Sequence, residues 1–372
     1  MIKAGFDGED NPRAVFPSII GRQKNQRLSV VMGGKEYYVG NEAQEKRGIL
    51  SIKNPIEHGV VDNWDDIEKI WQHTFYNELK IAPEDCPIFL TTPTHSSNSQ
   101  KEKMVQIMLE TFSAPCVYVS SQSVLPLYGC GRTLGTVLES GEGKTEIVPV
   151  YEGIPIYHAA STYPVTGRII TDLIMKNNTK GYSFTTNAER IIVRNIKEKI
   201  CYVAADFGKE MVTAFSSSSE INRKYELPDG QVISLEQDRF IFSECLFDSS
   251  LIQKYSKDQN IPPLNHFCAK GVHFATLDTV MKCDVDIRDR LFEIVVSGGN
   301  TMFPGFVDRF KKEFEKISSP NSKIKVIAPT NRNNSVFFGA SLFTSLSTFE
   351  KLWISKEEYD CDGPGIVHKK CF

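Results

Sequence analysis

With 372 residues, 41% apolar and 24% charged, the chain has a soluble globular composition and exceeds one ordinary core, so two domains are expected. A net charge of −3 argues against a polyanion-binding surface and against nucleic acid as a direct partner. No apolar run approaches membrane-spanning length, and the N-terminus has no apolar core of signal-peptide length, so an intracellular protein is expected.

Cysteines stand at 86, 116, 130, 201, 245, 268, 283, 361 and 371, with no CxxC pair, so reduced thiols are expected and zinc spacing is lacking. Ala4–Ile20 reads as short and turn-rich. Leu28–Gly40 reads as a hairpin around Gly33-Gly34, either an ordinary edge or a contact loop. Lys46–Lys80 holds a strand (Gly48–Ile52), a turn with Pro55, His58 and Gly59, and an amphipathic helix. Asn63 caps that helix, Asp65 and Asp66 occupy its first turn, and Trp64, Ile67, Trp71, Phe75 and Leu79 form its apolar stripe. Strand Ile88–Thr92, helix Lys101–Phe112, strand Val117–Ser120 and a helix near Ser123–Cys130 then alternate, which argues for an α/β fold.

Two strands, Thr133–Leu138 and Thr145–Tyr151, flank the turn Ser140-Gly141-Glu142-Gly143. Glycines there allow several N–H groups to face one point, which suits phosphate, though such turns are more often structural. GEGKT is not a Walker A loop, because Leu138 stands where that motif needs glycine. A helix near Thr166–Lys176 precedes a second over Ala188–Val203. The latter places Ile192, Ile196, Ile200 and Val203 inward and Arg194, Lys197 and Glu198 together on another face, either solvated with an ion pair or a polar wall against a ligand. After the serines of Ser216–Ser219 comes a strand and turn in YELPDGQVI. Phe247–Asp278 is a long segment carrying Pro262-Pro263, either mobile or used for contact. Strand Glu293–Ser297 delivers Gly298-Gly299 to a turn, and Pro304 opens a helix, a plausible anion site. Strand Lys323–Ala328 and the apolar helix Ser335–Leu346 complete the reading.

The strings GRTLG, GYSFTTNAER, IKEKICYVA, YELPDGQVI, MKCDVDIR, SGGNTMFPG, STFEKLWISKEEYD and the closing KCF resemble the actin family, in register from Lys3 to Phe372. The resemblance implies the actin/sugar-kinase/chaperone-ATPase fold, two α/β domains of four subdomains around a cleft that holds ATP or ADP with Mg²⁺ or Ca²⁺. Its small domain would cover 1–129 plus 335–372, with subdomain 2 near 18–54. Its large domain would cover 130–334, with subdomain 4 near 166–254 and an inserted loop near 248–270.

By position, the resemblance makes Lys3, Gly141, Glu142, Gly143, Gly167, Arg194, Lys197, Glu198, Gly298, Gly299 and Phe303 nucleotide-binding, with Asn333 replacing a lysine near the base. Gln122, Glu139 and Glu146 would be catalytic, Glu139 also acting on the metal through water. Glu139 and Glu142 replace aspartates, Lys144 an apolar residue, and Glu146 the histidine that helps place the attacking water. The strand and Gly-Ser loop that open actins would be missing, leaving Lys3 on a free terminus. Either the start is truncated, or nucleotide binds weakly and ATP hydrolysis is slow or lost. Met32, Gly33, Tyr128, Gly131, Thr133, Leu346 and Thr348 would meet polymer neighbours or actin-binding proteins. A divergent cytoskeletal protein assembling alone or with conventional actin is expected in the cytoplasm, with a nuclear pool allowed. A non-polymerising scaffold subunit of a larger complex is the alternative, and a kinase on the same fold a remote third.

Overall fold

The computed structural model describes residues 1–24, 35–57, 59–177, 184–216, 221–256 and 270–371. Met32, Gly33 and most of the Leu28–Gly40 hairpin lie outside them, as do His58, Ser217–Ser219 and the middle of the long segment, 257–269, with Pro262-Pro263 and Cys268. Chain contacts divide the molecule into two compact units. Unit 1 comprises Met1–Thr133, Glu152–Tyr157 and Asn334–Phe372, and unit 2 comprises Leu134–Tyr151 and His158–Asn333.

Unit 1 opens with an antiparallel pair, β1 (Ile2–Ala4) and β2 (Ala14–Phe16), in which Lys3 faces Val15. Lys3 therefore lies in a paired strand. β3 (Ile20–Gln23) lies between β4 (Tyr38–Val39) and β5 (Leu50–Lys53), and β6 (Ile56–Glu57) pairs with β7 (Val60–Val61) across Gly59, whose φ is +82°.

The helix Trp64–Gln72 starts as its sequence dictates, with Asn63 Oδ1 accepting the Asp66 N–H at 3.0 Å. Truncating that cap, Asn63→Ala, should cost about 1 kcal/mol in urea unfolding of the purified chain. A loss under a few tenths would mean the cap is idle. Asp66 itself is buried against Arg22, which ties the helix to β3. Beyond Gln72 the helix widens into a π-helical stretch, His73–Leu79. Thr74 Oγ1 donates to Ile70 O at 2.7 Å, and such a bond competes for a helical carbonyl and bends the ladder. Ile67, Ile70 and Phe75 are buried, whereas Trp64 and Trp71 are only partly so. The stripe of the sequence reading is thus rotated towards Ile70.

β8 (Ile88–Thr92) runs parallel to β9 (Cys116–Ser121) through the crossover helix Asn98–Gln106 and its π-helical end Ile107–Thr111. The short helix Leu125–Gly129 follows.

Unit 2 begins with the hairpin β10 (Gly135–Ser140) and β11 (Thr145–Tyr151), in which Glu139 faces Glu146. The two-residue strand β12 (Ile154–Pro155) belongs to unit 1, and β13 (Ser161–Tyr163) pairs with β11. Helices Gly167–Asn177 and Asn187–Ile200 come next, the second opened by a reciprocal cap between Thr186 and Glu189. Its inward residues are Val193, Ile196 and Lys197. Ile192 and Ile200 are half-buried, a correction to the expected stripe. β14 (Arg223–Glu226) and β15 (Val232–Leu235) form a separate hairpin. β16 (Glu293–Ser297) then lies parallel between β10 and β17 (Lys325–Ile327). The run from Thr145 to Val150 is wholly buried, as expected of a strand covered on both faces.

The helix Phe306–Ile317 packs Phe306, Phe310 and Phe314 inward with stacked rings 6.2 and 5.5 Å apart. Pro304 is not its first residue. Gly305 caps it at φ +81°, where a Cβ would meet Val203 O at 2.3 Å, so only glycine fits between proline and helix. The chain then returns to unit 1. The helix Ser335–Thr344 packs on Leu125–Gly129 through Gly339, and β18 (Ile354–Ser355) adds antiparallel to β9.

Candidate functional site

The hairpin turn of unit 2 is held by a chain of hydroxyl bonds. Thr145 Oγ1 donates to Val165 O at 2.7 Å, so Ser140 Oγ, 2.9 Å from Thr145 Oγ1, donates to it in turn. Ser140 Oγ accepts from Asn300 Nδ2 at 3.0 Å, and Asn300 Nδ2 also reaches Gly141 O at 2.8 Å. Ser140, Thr145 and Asn300 are all buried, where unmet polar groups would be costly, so this network fixes the turn rigidly. Ser140 entered the sequence reading only as the first residue of the turn and Asn300 not at all, although an asparagine directly after paired glycines at a strand end was a usable signal.

The turn is also joined to the start of helix Gly167–Asn177. Gly167 N–H donates to Gly141 O at 3.0 Å and Arg168 N–H to Glu142 O at 2.9 Å. These helix-opening N–H groups are therefore committed to the turn and are not offered to an anion. Lys197, 2% exposed, donates to Gly167 O at 2.8 Å and to Glu142 Oε2 at 3.2 Å. A Cβ on Gly167 would lie 2.7 Å from Asn300 Oδ1, 2.7 Å from Glu142 Oε2 and 3.1 Å from Lys197 Nζ. Three polar side chains thus converge on one bare α-carbon. Lys197 belongs to this convergence and not to a solvated face.

Gly298, at φ +95°, presses against the other side of the turn, where a Cβ would stand 2.2 Å from Ser140 O. Its N–H is held by Arg332 O at 3.0 Å, and Arg332 Nη2 donates to Thr301 O at 2.7 Å. Gly143 and Gly299 have nothing within 4 Å of an added Cβ, so their backbone is open to approach. Lys144 Nζ lies 2.5 Å from Glu146 Oε1, and Glu146 is buried opposite Glu139.

Of the remaining residues in unit 2, Arg194 and Glu198 pair at 3.2 Å, and Phe303 is buried after the short 3₁₀ turn Gly299–Met302. Lys3 and Gln122 belong to unit 1. There the Gln122 N–H donates to Thr92 O at 2.9 Å, and its side-chain amide to Thr91 Oγ1 at 3.4 Å. Tyr128 lies against Phe343 with ring centroids 4.7 Å apart, Gly131 has φ +67°, and Thr133 O accepts the Gly153 N–H at 2.7 Å. Leu346 and Thr348 are exposed.

Paired glycines at the ends of neighbouring strands, a helix begun on the hairpin turn and a mixed α/β sheet define the actin-like ATPase fold. The family model for actin matches residues 1–372, and the chain belongs to the actin family. Among the described residues no group of three or more His, Cys, Asp or Glu side chains is arranged to hold a metal ion. No described helix is long and apolar enough to cross a membrane.

Proposed function

We propose that the protein is a cytoskeletal actin-like subunit that binds ATP or ADP and assembles into filaments, alone or with conventional actin. The observation that carries the nucleotide half is the convergence of Asn300, Glu142 and Lys197 on Gly167 beside the open backbone of Gly143 and Gly299. Residues of this kind fit a nucleotide: bare backbone for close approach, and one buried ammonium held in place by acceptors. In this reading Gly141, Gly143, Gly298 and Gly299 approach the nucleotide, and Lys3 is a phosphate lysine by the family resemblance alone. Arg194, Lys197, Glu198 and Phe303 face the nucleoside. The divalent ion would supply charge neutralisation, with Glu139 acting on it through water. By the family resemblance Gln122 and Glu146 are the residues that would orient a water, so any hydrolysis would depend on them. The same reading puts the protein in the cytoplasm with the cytoskeleton, using Tyr128, Gly131, Thr133, Leu346 and Thr348 as contacts.

The test is titration of the purified protein with a fluorescent ATP analogue in Mg²⁺, followed by sedimentation alone and with conventional actin. Saturable binding that Lys197→Met weakens by on the order of a hundredfold is expected, since truncation leaves the buried Gly167 carbonyl without its ammonium donor. Absence of binding removes the nucleotide reading, and absence from every pellet removes the filament reading. The ion pair Lys144–Glu146 favours a second reading, a non-polymerising scaffold subunit with little hydrolysis, because a lysine-bound carboxylate is a poorer water acceptor than an imidazole. Binding without pelleting and without phosphate release would select it.

A further inference from the structure

Asn300 is held by one half of its amide only. Its Nδ2 donates to Ser140 Oγ at 3.0 Å and to Gly141 O at 2.8 Å, and the residue is 4% exposed. Nitrogen and oxygen cannot trade places. Gly141 O only accepts, and the Ser140 hydroxyl gives its hydrogen to Thr145 Oγ1, so both partners require an N–H. The carbonyl oxygen Oδ1 is what remains, and no described residue donates to it. It is aimed at the bare α-carbon of Gly167, 2.7 Å from where a Cβ would stand. Glu142 Oε2 lies 2.7 Å and Lys197 Nζ 3.1 Å from that same point. A buried carbonyl without a donor is costly, so a donor from outside the chain is called for.

We infer that Asn300 is a specificity-determining residue of the nucleotide site, its Oδ1 accepting a hydrogen from a ribose hydroxyl. This rests on the nucleotide reading above. The three groups around Gly167 are two acceptors and one ammonium, and each class of nucleotide atom can be held against that set. Ionised phosphate oxygens only accept, so they cannot satisfy Oδ1 and are repelled by Glu142. The amine of adenine only donates, so it has nothing to offer Lys197. A hydroxyl does both, and a ribose carries two of them side by side. The consequence is a preference for ribonucleotides over their deoxy analogues.

The test is equilibrium binding of ATP, 2′-deoxy-ATP and 3′-deoxy-ATP to the purified full-length chain, with a thermal melt of each variant. The wild type should bind at least one deoxy analogue more weakly than ATP, on the order of tenfold, because a buried acceptor then goes unmet. In Asn300→Ala an analogue that is weak on the wild type should bind like ATP, since the acceptor is gone. Ser140→Ala loosens the turn but spares Oδ1, so its analogue deficits should match those of the wild type. Deoxy analogues that bind the wild type as tightly as ATP overturn the inference. So does an Asn300→Ala variant that melts normally and keeps every deficit, because Asn300 then only fastens the turn. Loss of the deficits in Ser140→Ala also overturns it, by tracing them to turn rigidity. Where Asn300→Ala melts too low to titrate, 2′- and 3′-fluoro analogues on the wild type decide, since fluorine fills the hydroxyl's place without donating. Binding as weak as the matching deoxy analogue supports the inference, and binding as tight as ATP overturns it. A wild-type protein that binds no nucleotide takes down this inference together with the nucleotide reading, whereas every other adverse result takes down this inference alone.

Discussion

Gly298→Ala should destabilise unit 2 by roughly 3–5 kcal/mol and abolish any nucleotide binding there, combining backbone strain with overpacking. The residue holds φ +95°, and the added methyl would stand 2.2 Å from Ser140 O and 2.7 Å from the Ser140 carbonyl carbon. Those are backbone atoms of a hydrogen-bonded strand, so neither side can step aside cheaply. The matched control is Gly299→Ala, whose methyl meets nothing within 4 Å and whose stability should stay within about 0.5 kcal/mol of wild type. Urea unfolding of both variants checks this. Equal stabilities would mean the two loops do not approach as described.

Arg309→Leu should cost about 3–5 kcal/mol at pH 8 and distinctly less at pH 5. Arg309 donates to Glu244 Oε1 at 2.9 Å and Oε2 at 3.3 Å, to Ala204 O at 2.8 Å and to Glu313 Oε1 at 2.9 Å, all in unit 2. Removing it strands a carboxylate that is 3% exposed. Burial pushes the Glu244 carboxyl up to about 7, and Arg309 only partly counters this. A folded-state pKa above the unfolded one means the folded chain binds the extra proton. Glu244's contribution to stability is therefore complete below about pH 4.5 and is lost as pH rises through about 7, a swing on the order of 3 kcal/mol. At pH 5 the group is mostly neutral and misses Arg309 less. Glu244→Gln should flatten stability across that window. A deficit in Arg309→Leu that is the same at both pH values would show that Glu244 is ionised throughout.

Much of the strand framework was legible because interior strands, Thr145–Tyr151 and Glu293–Ser297 above all, leave near-continuous apolar runs. Ile88–Thr92, Thr145–Tyr151 and Glu293–Ser297 read as they fold, and Asn63 announced its helix by chemistry alone. The glycines at 141, 143, 298 and 299 were visible as turn material. Their partners were not. Lys197 shares helical spacing with Arg194 and Glu198, and nothing local says that it alone turns inward beside Val193 and Ile196. Its burial depends on acceptors 30 and 55 residues away, Gly167 O and Glu142. Asn300 was hidden for the same reason, since its bonds reach Ser140 and Gly141 from far along the chain. Pro304 misled because a residue favoured at a first helical turn here precedes a left-handed glycine. The widening at His73 was invisible to periodicity, because apolar steps of three and four accommodate one wide turn without losing the stripe.

The outer strand β17 has a consequence for how copies of this chain could meet. It is three residues long, begins with Lys325 on the exposed side, and closes the parallel side of the sheet. An edge that short and that charged cannot template a neighbour's backbone. Association through this edge would then have to be written in side chains, specific to partner and responsive to ionic strength, and could not spread as an indefinite ladder of main-chain bonds.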